Sequence, residues 1–369
     1  MRYGGNCREI YLVCKEVMKK TLYHAVVSFW AVFLLVTPNL AAAELTLFIW
    51  KEYISQDVID RFTKETGIAI KQIHFDSDQS RDEVISSTAK GSFDIVLFDN
   101  IAVQVFGKSN YLHSISDASV PNLENIDERW SESCGSFGIP YFYGSAGIAY
   151  DASQVNPAPD SWRDLLEPKE KHRGHVSMVE DMTDVLIPPL LLLGYNINSE
   201  EPTELRQAYE ILVDQLPYLT GYTYVLTEVE QAEAGRDLHM AFAYSGDQYV
   251  LNDLAGTDNW QYVVPKEGTA VWVDCLSITA GSNNKDEALR FLNYLLDPEV
   301  GAENTEEIYY ASPNRAIRKH MSEEAAKDPE LFWPEKLFQT VQHYRIISDD
   351  NLRLRKRMLD TLKKRHETQ

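Results

Sequence analysis

A regular alternation of short apolar strands and helices begins after residue 43 and narrows the folds open to the chain. Strands are predicted at residues 45–50, 68–75 and 93–98. Helices are predicted between them at residues 58–66 and 81–90, each followed by a glycine. The third strand is nearly all apolar, as a strand buried on both faces of a parallel sheet should be. This order predicts an open α/β sheet, in which ligands bind beyond the carboxyl ends of the strands.

The remainder of the chain returns to the first region instead of forming a separate domain. A predicted strand at residues 272–278 ends a long excursion, and neither an internal repeat nor a flexible linker divides the parts. We therefore expect two lobes joined by several crossings, with a ligand cleft between them. The predicted boundaries place residues 44–146 and 273–313 in lobe 1 and residues 147–272 and 314–369 in lobe 2.

Aromatic residues and carboxylates occur together at two predicted strand ends. Trp50, Glu52 and Tyr53 follow the first strand, and Trp272 and Asp274 lie more than two hundred residues later. Aromatic faces attract ammonium groups and cover methylene chains, while carboxylates accept charge-assisted hydrogen bonds from ammonium groups. The two clusters predict a cleft that closes on a linear polyamine. Taken singly, each tryptophan is as well explained as a core residue.

Residues 1–43 have the pattern of a secretory signal. A basic pair at residues 19–20 precedes an apolar run at residues 25–36, and an A-x-A site ends at Ala43. The apolar run is short for a membrane span, so we expect cleavage near Ala43 rather than an uncleaved anchor. Met18 is an alternative start. The mature protein is expected to be soluble in the periplasm.

The charge balance excludes one large class of partners. The chain has 35 basic and 56 acidic residues. Residues 1–43 contain five basic and two acidic side chains, so the mature part carries 30 basic and 54 acidic residues, a net charge of −24. Nucleic acid is bound by basic surfaces, and we therefore expect no nucleic-acid partner. A cationic ligand would be steered towards such a protein.

The four cysteines of the chain and one closely spaced pair among its nine histidines are weak indications of redox or metal chemistry. Cys134 and Cys275 are the two cysteines of the mature part, and in an oxidising compartment they either pair or remain buried thiols. His172 and His175 lie in a charged segment read as a loop, so we expect them to face solvent. Without a third ligand, this pair predicts no zinc site.

A series of short motifs extends from residue 44 to the C-terminus. The motifs are, in order, Trp50-Lys51-Glu52-Tyr53, Phe62-Thr63-Lys64-Glu65-Thr66-Gly67, Phe93-Asp94-Ile95-Val96, Ile139-Pro140-Tyr141, Ser161-Trp162-Arg163-Asp164-Leu165, Ser245-Gly246-Asp247, Val264-Pro265-Lys266-Glu267-Gly268 and Trp272-Val273-Asp274. In number and order they resemble the periplasmic polyamine-binding proteins of spermidine and putrescine importers. The resemblance implies a type II periplasmic-binding-protein fold whose two lobes close on the ligand.

The resemblance also implies a set of ligand-binding residues. The aromatic positions of the family fall on Trp50, Tyr53, Tyr244, Trp272 and Tyr310. The acidic positions fall on Glu52, Asp181, Asp184, Asp247 and Asp274. Tyr244 stands where the family usually has an indole, and Asp184 is one methylene shorter than the usual glutamate. The acids near residue 181 are equally explained as a helix N-terminus, where negative charge is favourable. Asp247 and Asp274 have an alternative reading as structural acids in salt bridges.

One segment departs from the family pattern. After the third strand the family usually has small hydroxyl residues followed by an aromatic, whereas this chain has Asp99 and, at the aromatic position, Ile101. The extra carboxylate at Asp99 favours charge over stacking and makes a compact triamine such as norspermidine a candidate ligand. This resembles the sensor branch of the family, in which the binding protein contacts an inner-membrane signalling enzyme of the cyclic-dinucleotide type. The alternative output is delivery to an importer permease.

Two other classes of protein, ferric-ion-binding proteins and hydrolases, are the alternatives to a polyamine-binding protein. Ferric-ion-binding proteins share this fold and often use neighbouring tyrosines, as at Tyr309 and Tyr310. Iron needs neither paired indoles nor scattered acids, so this reading ranks lower. No G-x-S-x-G motif for a hydrolase occurs, nor any phosphate-binding loop pattern. We therefore predict a binding protein without enzymatic activity or cofactor.

Overall fold

The computed structural model describes residues 43–75, 77–231 and 237–368. The predicted export signal lies outside the described residues, apart from its last residue, Ala43. Among the helices in the described part, none is both long and apolar enough to cross a membrane. Residues from Glu44 to the C-terminus form one compact unit.

Within the described residues, ten strands form one mixed sheet. They are β1 Glu44–Trp50, β2 Ala69–Phe75, β3 Ile95–Asp99, β4 Ile139–Asp151, β5 Val176–Met178, β6 Leu219–Tyr222, β7 Met240–Tyr244, β8 Trp260–Val263, β9 Thr269–Ile278 and β10 Val341–His343. The main path runs β2-β1-β3-β9-β4-β7-β5-β6, with β10 paired to β9 and β8 paired to β4.

Helices connect these strands. In the described part they are α1 Gln56–Thr66, α2 Asp78–Ser87, α3 Ala102–Lys108, α4 Trp162–Leu166, α5 Ile187–Leu192, α6 Pro202–Gln215, α7 Val225–Gln231, α8 Asp247–Ala255, α9 Lys285–Leu295, α10 Pro298–Ile308 and α11 Asp349–Glu367. The predicted β-α-β-α-β opening is present as β1-α1-β2-α2-β3, and the predicted α/β class is confirmed.

Local capping explains where the first helices begin. The hydroxyl of Ser55 accepts a hydrogen bond from the Val58 amide at 3.3 Å, and α1 ends at Gly67, whose φ of 75° suits a residue without Cβ. Ser77 caps α2 through the Ser80 amide at 3.1 Å. Because of this cap, α2 begins three residues earlier than the sequence pattern predicted and brings Asp78 into its first turn.

Strand β4 belongs to both halves of the sheet. Its first part pairs with β9, from Ile139 to Ser145. Its second part, from Ala146 to Tyr150, pairs with β7. The half of the sheet that contains β9 and the half that contains β7 are therefore connected through β4, where its pairing changes after Ser145. The exact division into lobes at residues 146 and 272 stays a prediction.

A large buried cluster stabilises the half of the sheet that contains β5, β6 and β7. Trp162 of α4 is fully buried there and donates its indole N–H to the Gly268 carbonyl at 2.9 Å. The terminal helix α11 docks on this cluster through the apolar side chains of Leu359 and Leu362. Arg355 of the same helix is buried and donates to the Ser199 carbonyl at 2.8 Å.

Cys134 and Cys275 form a disulfide, with their Cα atoms 5.7 Å apart. This separation lies in the ordinary range for paired cysteines. The bond joins β9 to the loop before β4 across 141 residues of sequence. Of the two alternatives left open by the sequence, the structure therefore has the disulfide.

Candidate ligand-binding site

Strand ends bring the first group of predicted residues together. Trp50 ends β1, and its ring lies 4.3 Å from that of Phe75 at the end of the neighbouring strand. Asp99 ends β3, where its register partner on β9 is Asp274. Residues that are 175 positions apart in sequence are thus neighbours across a strand pair. The site forms at the edge of the sheet that the α/β pattern predicted.

Tyr53 and Asp274 form the best-defined contact of this group. The Tyr53 hydroxyl donates to Asp274 Oδ2 at 2.6 Å. The Tyr53 carbonyl accepts from the Tyr141 hydroxyl at 2.9 Å, which in turn accepts from the Asn304 amide at 2.8 Å. Helix α10 therefore holds the turn after β1 in place. Burial raises the pKa of Asp274 to about 8, against a smaller opposing effect of the Tyr53 hydrogen bond.

Three aromatic rings line the space beside Asp274. The Tyr310 ring centroid lies 5.2 Å from that of Tyr53 and 5.8 Å from that of Trp272. Two glycines make this packing possible: a Cβ at Gly144 would lie 2.2 Å from the Trp272 ring, and one at Gly246 would lie 2.8 Å from the Tyr310 ring. The indole N–H of Trp272 is buried without a hydrogen-bond partner among the described residues. An ammonium group has no lone pair that could accept this N–H. Trp272 can therefore attract such a ligand only through the face of its ring.

Asp184 is the centre of the second group. It is buried, and its two oxygens accept hydrogen bonds from the hydroxyls of Tyr244 and Tyr344, the latter at 2.8 Å. Its pKa is raised to about 7, mainly by burial and also by the nearby charge of Asp181, against the lowering effect of the two tyrosine hydrogen bonds. Tyr344 was not predicted from the sequence.

Asp247 lies next to this group at the start of α8. It is fully buried, and it accepts the Tyr224 hydroxyl at 2.6 Å and the Tyr244 amide at 2.8 Å. Burial raises its pKa to about 7, and its two hydrogen bonds oppose that shift. The alternative of a structural salt bridge does not arise for Asp247 in the described contacts, whose donors are a neutral hydroxyl and a neutral amide. Asp247 fixes Tyr244 beside Asp184.

Two predicted acids occupy more exposed positions. Asp181 Oδ1 accepts the amides of Thr183 and Asp184 at 2.7 and 2.8 Å, so this side chain caps a short turn. Glu52 has a side chain 82% exposed and pairs with Lys51 at 3.4 Å. Glu52 is therefore placed on a solvent-facing turn and not with the buried acids.

A buried arginine, which the sequence analysis did not single out, lies beside Asp99. Arg81 of α2 is 2% exposed and contacts three carboxylates: Asp78 at 2.6 Å, Asp82 at 2.9 Å and Asp99 at 3.5 Å. Its guanidinium lies 4.9 Å from the centroid of the Phe98 ring. The other oxygen of Asp99 accepts the amides of Ile101 and Ala102. The extra negative charge expected from Asp99 is therefore partly neutralised inside the protein.

Asp78 extends the acidic surface towards Asp181. Its side chain is 56% exposed, and partial desolvation beside its neighbours raises its pKa above the ordinary aspartate value. Arg81 lowers this pKa, whereas the charges of Asp99, Asp82 and Asp181 raise it. A signal for Asp78 and Arg81 was present in the sequence, since both follow the carboxyl end of β2.

The tyrosine pair proposed as an iron alternative is divided between two environments. The Tyr309 hydroxyl donates to Asp328 at 2.7 Å, and its ring lies 4.7 Å from that of Tyr249. Tyr310 instead packs against Tyr53 and Trp272. Burial raises the pKa of Tyr309 to about 12 and raises that of Tyr310 further, so both phenols resist the ionisation that iron binding requires.

A surface cavity of about 400 Å³ lies elsewhere. It is lined by residues 194–196, 198–201, 204 and 345–347, and it touches none of the predicted site residues. Its lining has neither indole rings nor the tyrosine–aspartate pairs described above. This cavity therefore lacks the groups that the sequence predicted for the ligand-binding site.

Comparisons with known proteins identify the family of the chain. The family model for bacterial extracellular solute-binding proteins matches residues 57–332. The norspermidine sensor of Vibrio cholerae is 33% identical over 89% of this chain and 90% of its own length. The spermidine/putrescine-binding periplasmic protein of Escherichia coli is 29% identical over 78% of this chain and 82% of its own.

A solved structure has the same fold. The substrate-binding protein of a spermidine/putrescine ABC transporter from Streptococcus pneumoniae superposes with a TM-score of 0.77, covering 88% of this chain and 99% of its own at 24% identity. The predicted two-lobed α/β fold with a cleft between the lobes is confirmed. By its family match, its relatives and its fold, the chain belongs to the bacterial extracellular solute-binding proteins.

Proposed function

We propose that this protein is a periplasmic receptor that closes on a linear polyamine of the norspermidine or spermidine type. The observation that carries the proposal is the alignment of Asp274, Asp184 and Asp247 with aromatic rings in one cleft. All three carboxyls have a pKa raised above the ordinary aspartate value by burial, to about 8, 7 and 7. Such groups gain most from a ligand that brings positive charge into the cleft.

The arrangement suits a chain of amines better than a compact cation. Asp274 lies beside Trp272 and Tyr310, whereas Asp184 is held by Tyr244 and Tyr344 on the other half of the sheet. Rings between separated acids can cover methylenes while each acid accepts an ammonium group. Closure is favoured because only the closed form lets one ligand contact both groups.

We favour a sensor output over import. The reason is that the chain shares higher sequence identity, over more of its length, with the norspermidine sensor than with the spermidine/putrescine-binding protein of Escherichia coli. In this role the closed form contacts the periplasmic part of an inner-membrane signalling enzyme; in the alternative it contacts an importer permease. Deletion of the gene separates the two, because import predicts lost uptake of labelled polyamine. Sensing predicts normal uptake with an altered cyclic-dinucleotide level.

We expect calorimetric titration of the ligand-stripped mature protein to detect binding of a triamine. Norspermidine, spermidine, putrescine and ferric citrate are titrated in parallel under one buffer condition. Triamines should bind most tightly because they carry more ammonium groups than putrescine for the separated acids. Iron binding without any amine response would overturn the proposal and make Tyr309 and Tyr310 the site.

Proton release should accompany polyamine binding near neutral pH. The pKa values of Asp274, Asp184 and Asp247 lie at about 8, 7 and 7 before binding, so part of this set is protonated at pH 7. An ammonium neighbour lowers each pKa, so the ligand displaces protons and affinity should fall as pH falls from 8 to 6. Each proton released gives about tenfold in affinity per pH unit.

Calorimetry in two buffers of different ionisation enthalpy measures this release directly. The window lies well above the value near pH 4 that an ordinary carboxylate predicts. Affinity that stays constant between pH 6 and 8, with equal enthalpies in both buffers, would contradict the role of the buried acids. Putrescine provides the control, since a diamine engages fewer of them and should release fewer protons.

A further inference from the structure

A cluster of histidines lies at the opposite end of the sheet from the ligand cleft. His175 and His239 directly precede β5 and β7, which pair in parallel with Val176 opposite Met240. The His239 amide donates to the His175 carbonyl at 2.8 Å. Since the cleft residues follow the carboxyl ends of these strands, the cluster at their amino ends is a separate place on the protein.

His172 completes the cluster and corrects an expectation from the sequence. It is buried and not solvent-facing, and its Nδ1 lies 2.9 Å from Nδ1 of His239. Burial lowers the pKa of His172 to about 4, with smaller effects of Lys171 and His239 in the same direction. A contact of this length between two ring nitrogens needs one of them to donate and the other to accept, so one hydrogen lies between the two rings.

The other nitrogen of His239 has no hydrogen-bond partner among the described residues. This Nε2 atom is buried, and Asp237 Oδ2 lies 3.2 Å from it without forming a hydrogen bond. If His239 carries its hydrogen on Nδ1, Nε2 presents a lone pair near a carboxylate. If His172 carries the shared hydrogen, Nε2 holds an N–H that no acceptor receives. In either tautomer, Nε2 of His239 lacks a hydrogen-bond partner, and a buried polar atom without a partner destabilises the fold.

A metal ion removes this conflict. Two ligand atoms at about 2.0–2.2 Å from a tetrahedral Zn²⁺ ion lie a little over 3 Å apart. Their lone pairs point at the ion and not at each other, so the two atoms do not form a hydrogen bond. The contact between His239 Nε2 and Asp237 Oδ2 has this separation and fails as a hydrogen bond. His175 supplies a third donor, since ligand atoms of His175, Asp237 and His239 lie within 4.8 Å of one another.

We propose that His239 Nε2, Asp237 Oδ2 and His175 bind a divalent transition-metal ion, with Zn²⁺ as the best match. Two imidazoles and one carboxylate are a donor set suited to zinc, with a fourth position left for water. His172 then accepts the Nδ1–H of His239 and orients its ring, as outer partners of zinc-bound histidines do.

One rearrangement accompanies binding. The rings of His175 and His239 are stacked, with centroids 4.1 Å apart and planes 14° from parallel. Lone pairs in parallel planes do not converge on one ion, so His175 turns out of the stack when it joins the site. Its Nδ1 contacts the Asp237 carbonyl at 2.5 Å, and its side chain is one-third exposed, which leaves room for this turn. His239 and Asp237 therefore form the primary pair.

The test uses the full mature protein, freed of metal with a chelator and titrated with ZnCl₂ at pH 7.5. We expect one Zn²⁺ per chain in the wild type, and binding at least about tenfold weaker in Asp237→Asn and His239→Gln. His172→Phe removes only the outer partner and should weaken binding by about 10–100-fold. Co²⁺ serves as a second probe, because the strong visible absorption of four-coordinate Co²⁺ reports the geometry directly.

His320→Gln is the matched control, since His320 also lies beside a carboxylate, Glu299, at 3.8 Å on the surface. It should bind Zn²⁺ like the wild type. Zinc binding that is absent from the wild type, or equal in Asp237→Asn, His239→Gln and His320→Gln, overturns the site. Polyamine titration of each variant reports folding independently, and the exposed Asp237 decides the question if the buried His239→Gln variant does not fold.

Discussion

Asp274→Asn should weaken polyamine binding by roughly 30-fold to several thousand-fold. Loss of one member of a buried hydrogen-bonded charge pair costs about 2–5 kcal/mol, and about 1.4 kcal/mol corresponds to tenfold in affinity. Asparagine keeps the shape and can still accept the Tyr53 hydroxyl, which lies 2.6 Å from Asp274. The change therefore removes mainly the charge that an ammonium group requires. Calorimetric titration with norspermidine and spermidine measures the loss.

The same substitution should leave the ligand-free protein at least as stable. The pKa of Asp274 is about 8 in the folded protein, above its ordinary value of 3.8, so the folded form binds the proton more tightly than the unfolded chain. Stability from this group is complete at low pH and is lost as pH rises towards 8. Asparagine cannot ionise and avoids that loss. The exposed Asp258→Asn is the control, and equal affinity in both variants would exclude Asp274 as an ammonium acceptor.

Arg81→Met should change which polyamine binds best. Arg81 offsets part of the charge of Asp78, Asp82 and Asp99, so its removal leaves three carboxylates without their common cation. We expect the ligand-free variant to be less stable, but by less than the about 3–5 kcal/mol of a fully buried ion pair, because the three carboxylates left behind are partly exposed. A more highly charged ligand should restore it. The affinity ratio of the tetraamine spermine to norspermidine should therefore rise at least about tenfold.

Two further variants separate charge from structure at this position. Arg81→Lys retains the positive charge but loses the planar fork that reaches three acids, so it should keep the wild-type ligand ranking with reduced stability. Arg163→Met is the matched control, since Arg163 forms an exposed pair with Glu167 at 2.6 Å. An unchanged ranking in folded Arg81→Met would show that Arg81 does not set ligand preference. If that variant does not fold, the double variant Arg81→Met, Asp99→Asn is titrated instead. It removes one negative charge together with the positive charge and so restores part of the charge balance.

Local sequence patterns determined the frame of this protein and the strand ends that border its site. Apolar runs and glycines predicted β1, β2 and β3 within two residues at each end, because burial and chain reversal depend on neighbouring residues. The carboxyl ends of those strands then placed Trp50 and Asp99 at one edge of the sheet. Aromatic and acidic residues at such ends are the sequence basis for predicting a polyamine ligand.

The tertiary structure alone decided which groups pair. Asp184 meets Tyr344 across 160 residues, Asp274 meets Tyr53 across 221, and Cys134 bonds Cys275 across 141. No spacing rule links such positions, since their distance depends on how β4 and β9 cross the sheet. Contacts with the end of β3 likewise bury Arg81 against Asp99, and the parallel pairing of β5 with β7 sets His239 beside His175. The sequence therefore determined the kinds of groups present, and the packing determined which charges are neutralised, because electrostatic interactions depend on distance and burial.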